Sequence, residues 1–484
     1  MEGHSLDFDV AIIGAGISGI NAAYRIQTEG SPGLSYVILE GRDSVGGTWD
    51  LFRYPGIRSD SDIFTFGFAW NPWTRNESLP SGDRIKEYIL SSAQSEGIDH
   101  HICYKHKVLS ANWCSEKQNW ELLVSRPGED DPVLFRSRWI LLGTGYYNYE
   151  QPREAGIPGI ENFAGDVIHP QFWPENYDYT NKDVVLIGSG ATAITILPAM
   201  ADKVRRVTML QRSPGYIVPL PTTTFLTTFL VRFLPTKIGY FFNRVLWLFR
   251  SYISTAVSKR HPGLVKGLLK RVTTNQLPPN ISWDPNFKPN YNPWEQRLCV
   301  SKNGDFFAAL RSGKADVVTD TIKRIDEKSI VLDSGAVLRP DVIITATGLK
   351  LRFGGGIQFS VDGKPFSGAG RFAWRAAMLQ DVPNMLFMFG YENASWTLGA
   401  DVGARLFLRI EKAMRERGAS VAVPRLPAPD MPVKPMMSLS STYLKNATEI
   451  LPKGGVGVWS PKSGYVSDMA SAKWGNILTD LELM

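Results

Sequence analysis

A chain of 484 residues, 43% hydrophobic and 21% charged, is too long for one ordinary core and too apolar for disorder, so two or three folded domains are expected. Its 53 Lys and Arg against 47 Asp and Glu leave a net charge of only +6 with no block of like charges, which argues against a nucleic-acid partner or an acidic tail. Three cysteines, Cys103, Cys114 and Cys299, share no metal or redox spacing; no metal site is expected, and a reducing, cytoplasmic compartment fits.

The N-terminal run leads from an acidic start into a strand with no cleavage pattern, so no signal peptide is expected. "FDVAIIGAGISGINAAYRI" reads as an apolar strand (Val10 to Ile13), a glycine turn, and a helix with Ile17, Ile20, Ala23 and Tyr24 at helical spacing. Gly14 permits the tight turn. Gly16 lets a pyrophosphate approach the backbone N–H groups at the helix start, next to Ser18, and Gly19 allows close helix–strand packing. The next strand, "SYVILE", ends in Glu40 about 20 residues beyond the glycines, where an acid accepts hydrogen bonds from ribose hydroxyls.

A second start follows at "KDVVLIGSGATAITILPAMA", with Gly188, Ser189, Gly190, Ala191 and Thr192 at the turn and helix start. Its next strand ends in Gln211 and Arg212 rather than an acid, and an arginine there suits the 2'-phosphate of NADPH. Two dinucleotide sites in one chain imply electron transfer between two cofactors. The N-terminal site is assigned to FAD, because "WILLGTG" (Trp139 to Gly145) and "DVIITATG" (Asp341 to Gly348) each read as a strand returning the chain to the first sheet. A third match, "GAGRFA" at Gly368, follows no strand and is set aside.

The architecture expected is α/β, with two Rossmann-like domains. An FAD domain of residues 1–148 and 332–484 would be interrupted by an NADPH domain of residues 149–331, itself carrying a helical insertion at about 217–290. The stretch from 213 to 254 holds no continuous apolar span of membrane length; it reads as amphipathic helices that pack on the body or roof a pocket, with peripheral membrane contact as the alternative. "VPRLPAPDMPVKP", with five prolines in thirteen residues, reads as an extended strap.

Two motifs carry a family resemblance. "GGTWDLFRYPGIRSD" matches the pattern GGxWxxxx(Y/F)PGxxxD through Gly46, Gly47, Trp49, Tyr54, Pro55, Gly56 and Asp60, and "FAGDVIHPQFWP" matches FxGxxxHxxxWP through Phe163, Gly165, His169, Trp173 and Pro174. On these residues the chain resembles the Baeyer–Villiger monooxygenases, class B flavoproteins; on "GTWDLFRYPGIRSDSD", "GYYNY", "IGSGATA", "YNPWEQRLC" and "NASWTL" it most resembles, within them, the branch of the ethionamide-activating monooxygenase. The resemblance implies that NADPH reduces FAD, that the reduced flavin captures O2 as a peroxyflavin, and that a ketone becomes an ester or lactone, with sulfide oxygenation as a side activity; the alternative is a flavin monooxygenase that oxidises nitrogen or sulfur only. It implies Arg297 as the catalytic cation with Asp60 orienting it, and Gly47, Thr48, Trp49 and Val108 against the flavin. One departure is Gln296, where many members carry a lysine for NADPH, so that preference leans on Arg212. Trp396 is the candidate substrate contact. His169 has no companions with metal-ligand spacing, and its place between a Pro/Gly-rich linker and the second glycine turn suggests a hinge that couples NADPH to domain rotation.

Overall fold

The computed structural model describes residues 6–439 and 447–484. Strand Phe8–Ile13 is the hub of the first sheet. It pairs in parallel with Tyr36–Leu39 on one side and Val133–Leu142 on the other, with Val10 opposite both Tyr36 and Trp139. Strands covered on both faces must be apolar at every position rather than at alternate ones, which is how "VAII" and "YVIL" read. Val133–Leu142 also closes an antiparallel excursion through Lys107–Cys114 and Asn119–Ser125, with Trp113, Trp120 and Trp139 fully buried around it.

The second sheet is wholly parallel, in the order Ala315–Thr319, Arg206–Gln211, Asp183–Ile187, Val342–Thr345, Asp166–Ile168. Strand Val342–Thr345 therefore lies inside this sheet, with Val342 opposite both Val184 and Asp166. This corrects the expectation that Asp341–Gly348 returns the chain to the first sheet, and moves the boundary at residue 332 beyond Thr345. The next strand to join the first sheet is Gln358–Val361, followed by Lys364–Phe366 and Met385–Phe387. An apolar run of four buried residues satisfies either sheet; what selects the second is contact with its glycine turn. A Cβ on Gly188 would lie 2.2 Å from Ala346 O, and a Cβ on Gly14 would lie 3.0 Å from Gly143 O, so each turn seats the end of its own neighbouring strand.

Those two strand ends run on as the crossings between the sheets, and they pair with each other. Asn148 N donates to Lys350 O (2.8 Å), Arg352 N to Tyr146 O (2.9 Å), and Arg153 Nη1 to Thr347 O (2.8 Å).

The insertion is helical over Phe225–Phe233, Thr236–Arg260 and Pro262–Thr274, a narrower span than 217–290. Ile217–Leu220 at its start is instead a strand paired with Cys299–Lys302, and beyond Thr274 recurring prolines end the helical run. The insertion docks on the flavin side: Arg244 Nη1 donates to Phe64 O (2.7 Å) and Gly67 O (3.1 Å), and the Tyr240 hydroxyl to Phe68 O (2.8 Å).

Helix Trp396–Arg417 packs on helix Ile17–Glu29 through a buried ion pair. Asp401 Oδ1 accepts from Arg25 Nε (2.7 Å) and Asn21 Nδ2 (3.2 Å), and Oδ2 from Arg405 Nε (3.3 Å). Burial pushes the Asp401 carboxyl up, but Arg25, Arg405 and Asn21 outweigh it and hold it below the usual carboxylate range. A depressed acid stabilises the fold above its unfolded pKa and ceases to do so as pH falls through the folded value. Asp401→Ala is expected to cost about 3 kcal/mol, because it leaves the buried Arg25 with Glu29 as its remaining ionic partner. Denaturant unfolding of the two proteins across the acid limb checks this, and the deficit should shrink as pH falls.

Candidate active site

The glycine turn after Phe8–Ile13 opens on a cavity of about 520 Å³. Gly14, Gly16, Ser18, Glu40, Gly47, Thr48, Trp49, Asp60, Val108, Arg297 and Trp396 all line it. Gly19 does not; a Cβ there would meet Gly14 O at 2.0 Å, so it serves the packing of helix on turn. The helix that follows Gly16 has no side-chain cap, so no side chain of its own covers the N–H groups of its first turn. Glu40 is buried at the end of its strand, where Oε2 accepts from Ala15 N (2.7 Å) and Oε1 from Arg42 N (2.9 Å). Burial pushes its carboxyl up, and those two N–H groups and the Arg42 charge draw it part of the way back. Each oxygen keeps acceptor capacity for a diol.

A glycine cradle, an acid beyond it and flat aromatic walls are what a flavin dinucleotide requires, and the residues fit FAD. Thr48 Oγ1 lies 3.2 Å from the Tyr149 hydroxyl, and Trp49 meets Phe66 edge-on with centroids 5.5 Å apart. Trp396 donates from Nε1 to Ser18 Oγ (2.9 Å) and stacks on Tyr146 at 4.9 Å, which ties it to the flavin helix.

Arg297 stands just before strand Cys299–Lys302. Its Nε donates to Glu392 O (3.1 Å) and Nη2 to Tyr391 O (3.4 Å), while Nη1 lies 3.8 Å from Asp60 Oδ2. The last distance is an ion pair, too long for a hydrogen bond. The Glu392 carboxylate in turn accepts from Ser438 Oγ (2.8 Å) and Leu439 N (3.2 Å), so the proline-rich tail reaches the loop that holds Arg297.

At the second turn, Gly188 has φ of 136°, and Gly190 precedes helix Ala191–Ala201, which also lacks a side-chain cap. A Cβ on Gly190 would meet nothing, so space is open before Ala191 and Thr192. Ser189 Oγ donates to Ser213 O (2.9 Å), and the Thr192 hydroxyl bonds that of Tyr54. Arg212 is exposed at the end of its strand, whereas Gln211 is buried and donates to Asn286 O (2.7 Å) and Thr319 Oγ1 (2.9 Å). An uncapped helix start with open space, together with the exposed Arg212 at the end of the next strand, fits NADPH.

The segment from Gly46 to Asp60 joins the two sites. Gly47 and Trp49 face the flavin cavity, Phe52 and Tyr54 are buried in the core of the second sheet, and Asp60 returns to the cavity. At Gly56 a Cβ would fall 2.7 Å from Ala199 Cβ and 2.9 Å from Thr195 O, and Arg58 Nη1 donates to Asp305 Oδ2 (2.6 Å).

His169 is away from this cavity. Its Nδ1 accepts from Gln171 N (3.2 Å), and Gln171 Nε2 donates to Asn148 O (2.6 Å) on one crossing. Burial pushes the imidazole pKa down, partly offset by the backbone of Gly348 on the other crossing.

Several lining residues escaped the sequence reading. Tyr146, Tyr147 and Tyr149 belong to a stretch read as linker, yet all three wall the cavity. Arg42 lines it as well, held by the buried Asp50, and Arg352 arrives from the second crossing. The only local signal was a cation two residues beyond Glu40.

Residues 76–355 match the family described as flavin-binding monooxygenase-like, and residues 12–76 an NAD(P)-binding Rossmann-like domain. The chain is 41% identical to the FAD-containing monooxygenase EthA of Mycolicibacterium smegmatis, covering 97% of this chain and 95% of that one. It is also 41% identical to a probable FAD-binding monooxygenase, AlmA, of an Acinetobacter species, over 96% and 94%. Among solved structures, OTEMO in complex with FAD and NADP superposes with a TM-score of 0.76 at 19% identity over 99% of this chain and 100% of that one, which supports the fold. The chain thus belongs to the flavin-binding monooxygenase-like family, close to the EthA branch of class B flavoproteins, and is an FAD- and NADPH-dependent enzyme that oxidises a small organic substrate with O2.

Proposed function

We propose that this enzyme is a Baeyer–Villiger monooxygenase that converts ketones to esters or lactones. Arg297 carries the reading: a guanidinium on the wall of the flavin cavity, pinned by two backbone carbonyls and facing Asp60. When bound, FAD reduced by NADPH would supply the activation of O2, one atom of which enters the substrate while the other leaves as water. The chain's own residues supply position, charge and shelter. Insertion of oxygen beside a carbonyl builds negative charge on oxygen, and a fixed guanidinium stabilises it. Asp60 orients that cation, and Trp49, Tyr146 and Trp396 exclude water with apolar walls. Arg212 and the Gly188–Thr192 turn hold NADPH. His169 acts as a positioning residue, because its turn is hydrogen-bonded to the first crossing through Gln171 and follows strand Asp166–Ile168, which pairs with the strand leading into the second.

A second reading is oxygenation of sulfur or nitrogen alone. The family matched over residues 76–355 is described only as flavin-binding monooxygenase-like, and the names of the 41% identical relatives specify no ketone chemistry, so the sequence comparisons lean this way. Chemistry separates the two. A soft sulfur attacks an oxygen donor without building a carbonyl adduct, so it has less need of a fixed cation.

Mass spectrometry of products from a panel of ketones and sulfides is expected to show esters or lactones; clean S- or N-oxides with no ester would establish the second reading instead. Arg297→Ala should lower ketone turnover by about 10²–10³-fold, the usual cost of one lost electrostatic donor, with flavin content unchanged. Ketone turnover within a few-fold of wild type would remove Arg297 from the mechanism. For His169→Ala, product formed per NADPH consumed should fall, by up to about 10²-fold if the cofactors misalign, with flavin retained. Flavin loss in that variant would show a role in folding rather than in coupling.

A further inference from the structure

The Thr236–Arg260 helix has its amphipathic character reversed. Towards the protein it turns Asn243, Arg244, Thr255 and Ser258, along with Tyr240 and Trp247. Towards solvent it turns Ile238, Phe241, Phe242, Val245, Phe249 and Tyr252, whose spacing keeps them on one face of an α-helix. The exposure is large, 60% for Phe249 and 74% for Tyr252, and the flanking helices extend the patch through Phe225 at 89%, Phe233 at 67% and Leu264 at 67%. An exposed apolar helix face of this kind, with further exposed apolar residues on the flanking helices, marks a binding face.

Charge identifies what it binds. From Phe225 to Thr274 there are nine Lys and Arg and no Asp or Glu; against a whole-chain net charge of +6, the remainder of the protein is left at −3. Arg232, Lys237, Arg250, Lys259, Arg260 and Lys270 are all exposed. A second copy of this chain would bring like charges together. An anionic lipid surface meets both requirements, taking the aromatic side chains into the acyl boundary and the cations among its headgroups. Among the described residues no helix is long and apolar enough to cross a membrane, so the contact is interfacial.

We propose that helices Phe225–Phe233, Thr236–Arg260 and Pro262–Thr274 form a docking face for an anionic bilayer. The face is coupled to the flavin cavity through short paths. On the buried side Arg244 holds the carbonyls of Phe64 and Gly67, which bracket Phe66 of the cavity wall, and Ser251 Oγ donates to Asn393 O (3.3 Å), next to the Glu392 carbonyl that pins Arg297. Docking therefore brings the cavity close to a reservoir of apolar molecules.

Flotation of the full-length, FAD-loaded protein with phosphatidylcholine vesicles, with and without phosphatidylglycerol, tests the proposal. The protein should float with the anionic vesicles and be released by high salt. Combined Phe225→Ser, Phe233→Ser, Phe241→Ser and Phe249→Ser substitutions alter only exposed side chains; they should weaken vesicle binding by roughly tenfold or more while flavin content and NADPH oxidation stay at wild-type levels. Lys259→Glu with Arg260→Glu should weaken binding to anionic vesicles as well, as a charge test independent of the aromatic one. The proposal is overturned if wild-type protein fails to float, floats equally with neutral vesicles, or is matched by the aromatic variant. It is also overturned if sedimentation shows wild-type dimers that this variant breaks, without vesicle binding, because a second copy then covers the face.

Discussion

Gly14 and Gly188 each let the end of a neighbouring strand pass at backbone contact distance, and the rest of the molecule depends on those two contacts. A side chain at either position would push away Gly143 or Ala346. The strand ends they seat continue without interruption into the crossings, Gly143 to Tyr149 and Ala346 to Arg352, which hydrogen-bond to each other. The cofactor cradles and the joint between the two sheets are thus parts of one backbone arrangement. A hydrogen-bonded backbone path therefore joins one cradle to the other.

The cation proposed for catalysis is assembled from distant parts of the chain. Arg297 comes from just before strand Cys299–Lys302, its carbonyl acceptors from residues 391 and 392, its acid from the Gly46–Asp60 segment and the neighbouring Tyr146 from the first crossing. That segment is a strap across two cores: Tyr54 and Gly56 fit too closely against the Ala191–Ala201 helix to move independently of it. Asp60 is therefore positioned by packing in the second domain while facing the cavity of the first. Such an arrangement makes the electrostatics of the flavin site sensitive to how the domains sit.

The insertion shows the same economy of contact. Its buried face is polar because the backbone carbonyls it covers, at Phe64, Gly67 and Phe68, need donors, which Arg244 and Tyr240 provide. Meeting that need turned the phenylalanines Phe241, Phe242 and Phe249 outward. Burial alone would have favoured the opposite orientation.

Both glycine turns, Glu40 and Arg212 as the respective strand ends, and the parallel character of the central strands could be read from the sequence. Each is a short-range property: a turn demands glycine where φ is positive or backbones touch, and a strand covered on both faces must be apolar throughout. The tertiary structure alone decided that Val342–Thr345 joins the second sheet, that Tyr146, Tyr147 and Tyr149 on the first crossing also wall the cavity, and that the helix of Thr236–Arg260 buries its polar side. Hydrophobic pattern reports that a residue is covered and is silent on what covers it. Partner choice is made by contacts between segments hundreds of residues apart, whose closure no local spacing encodes.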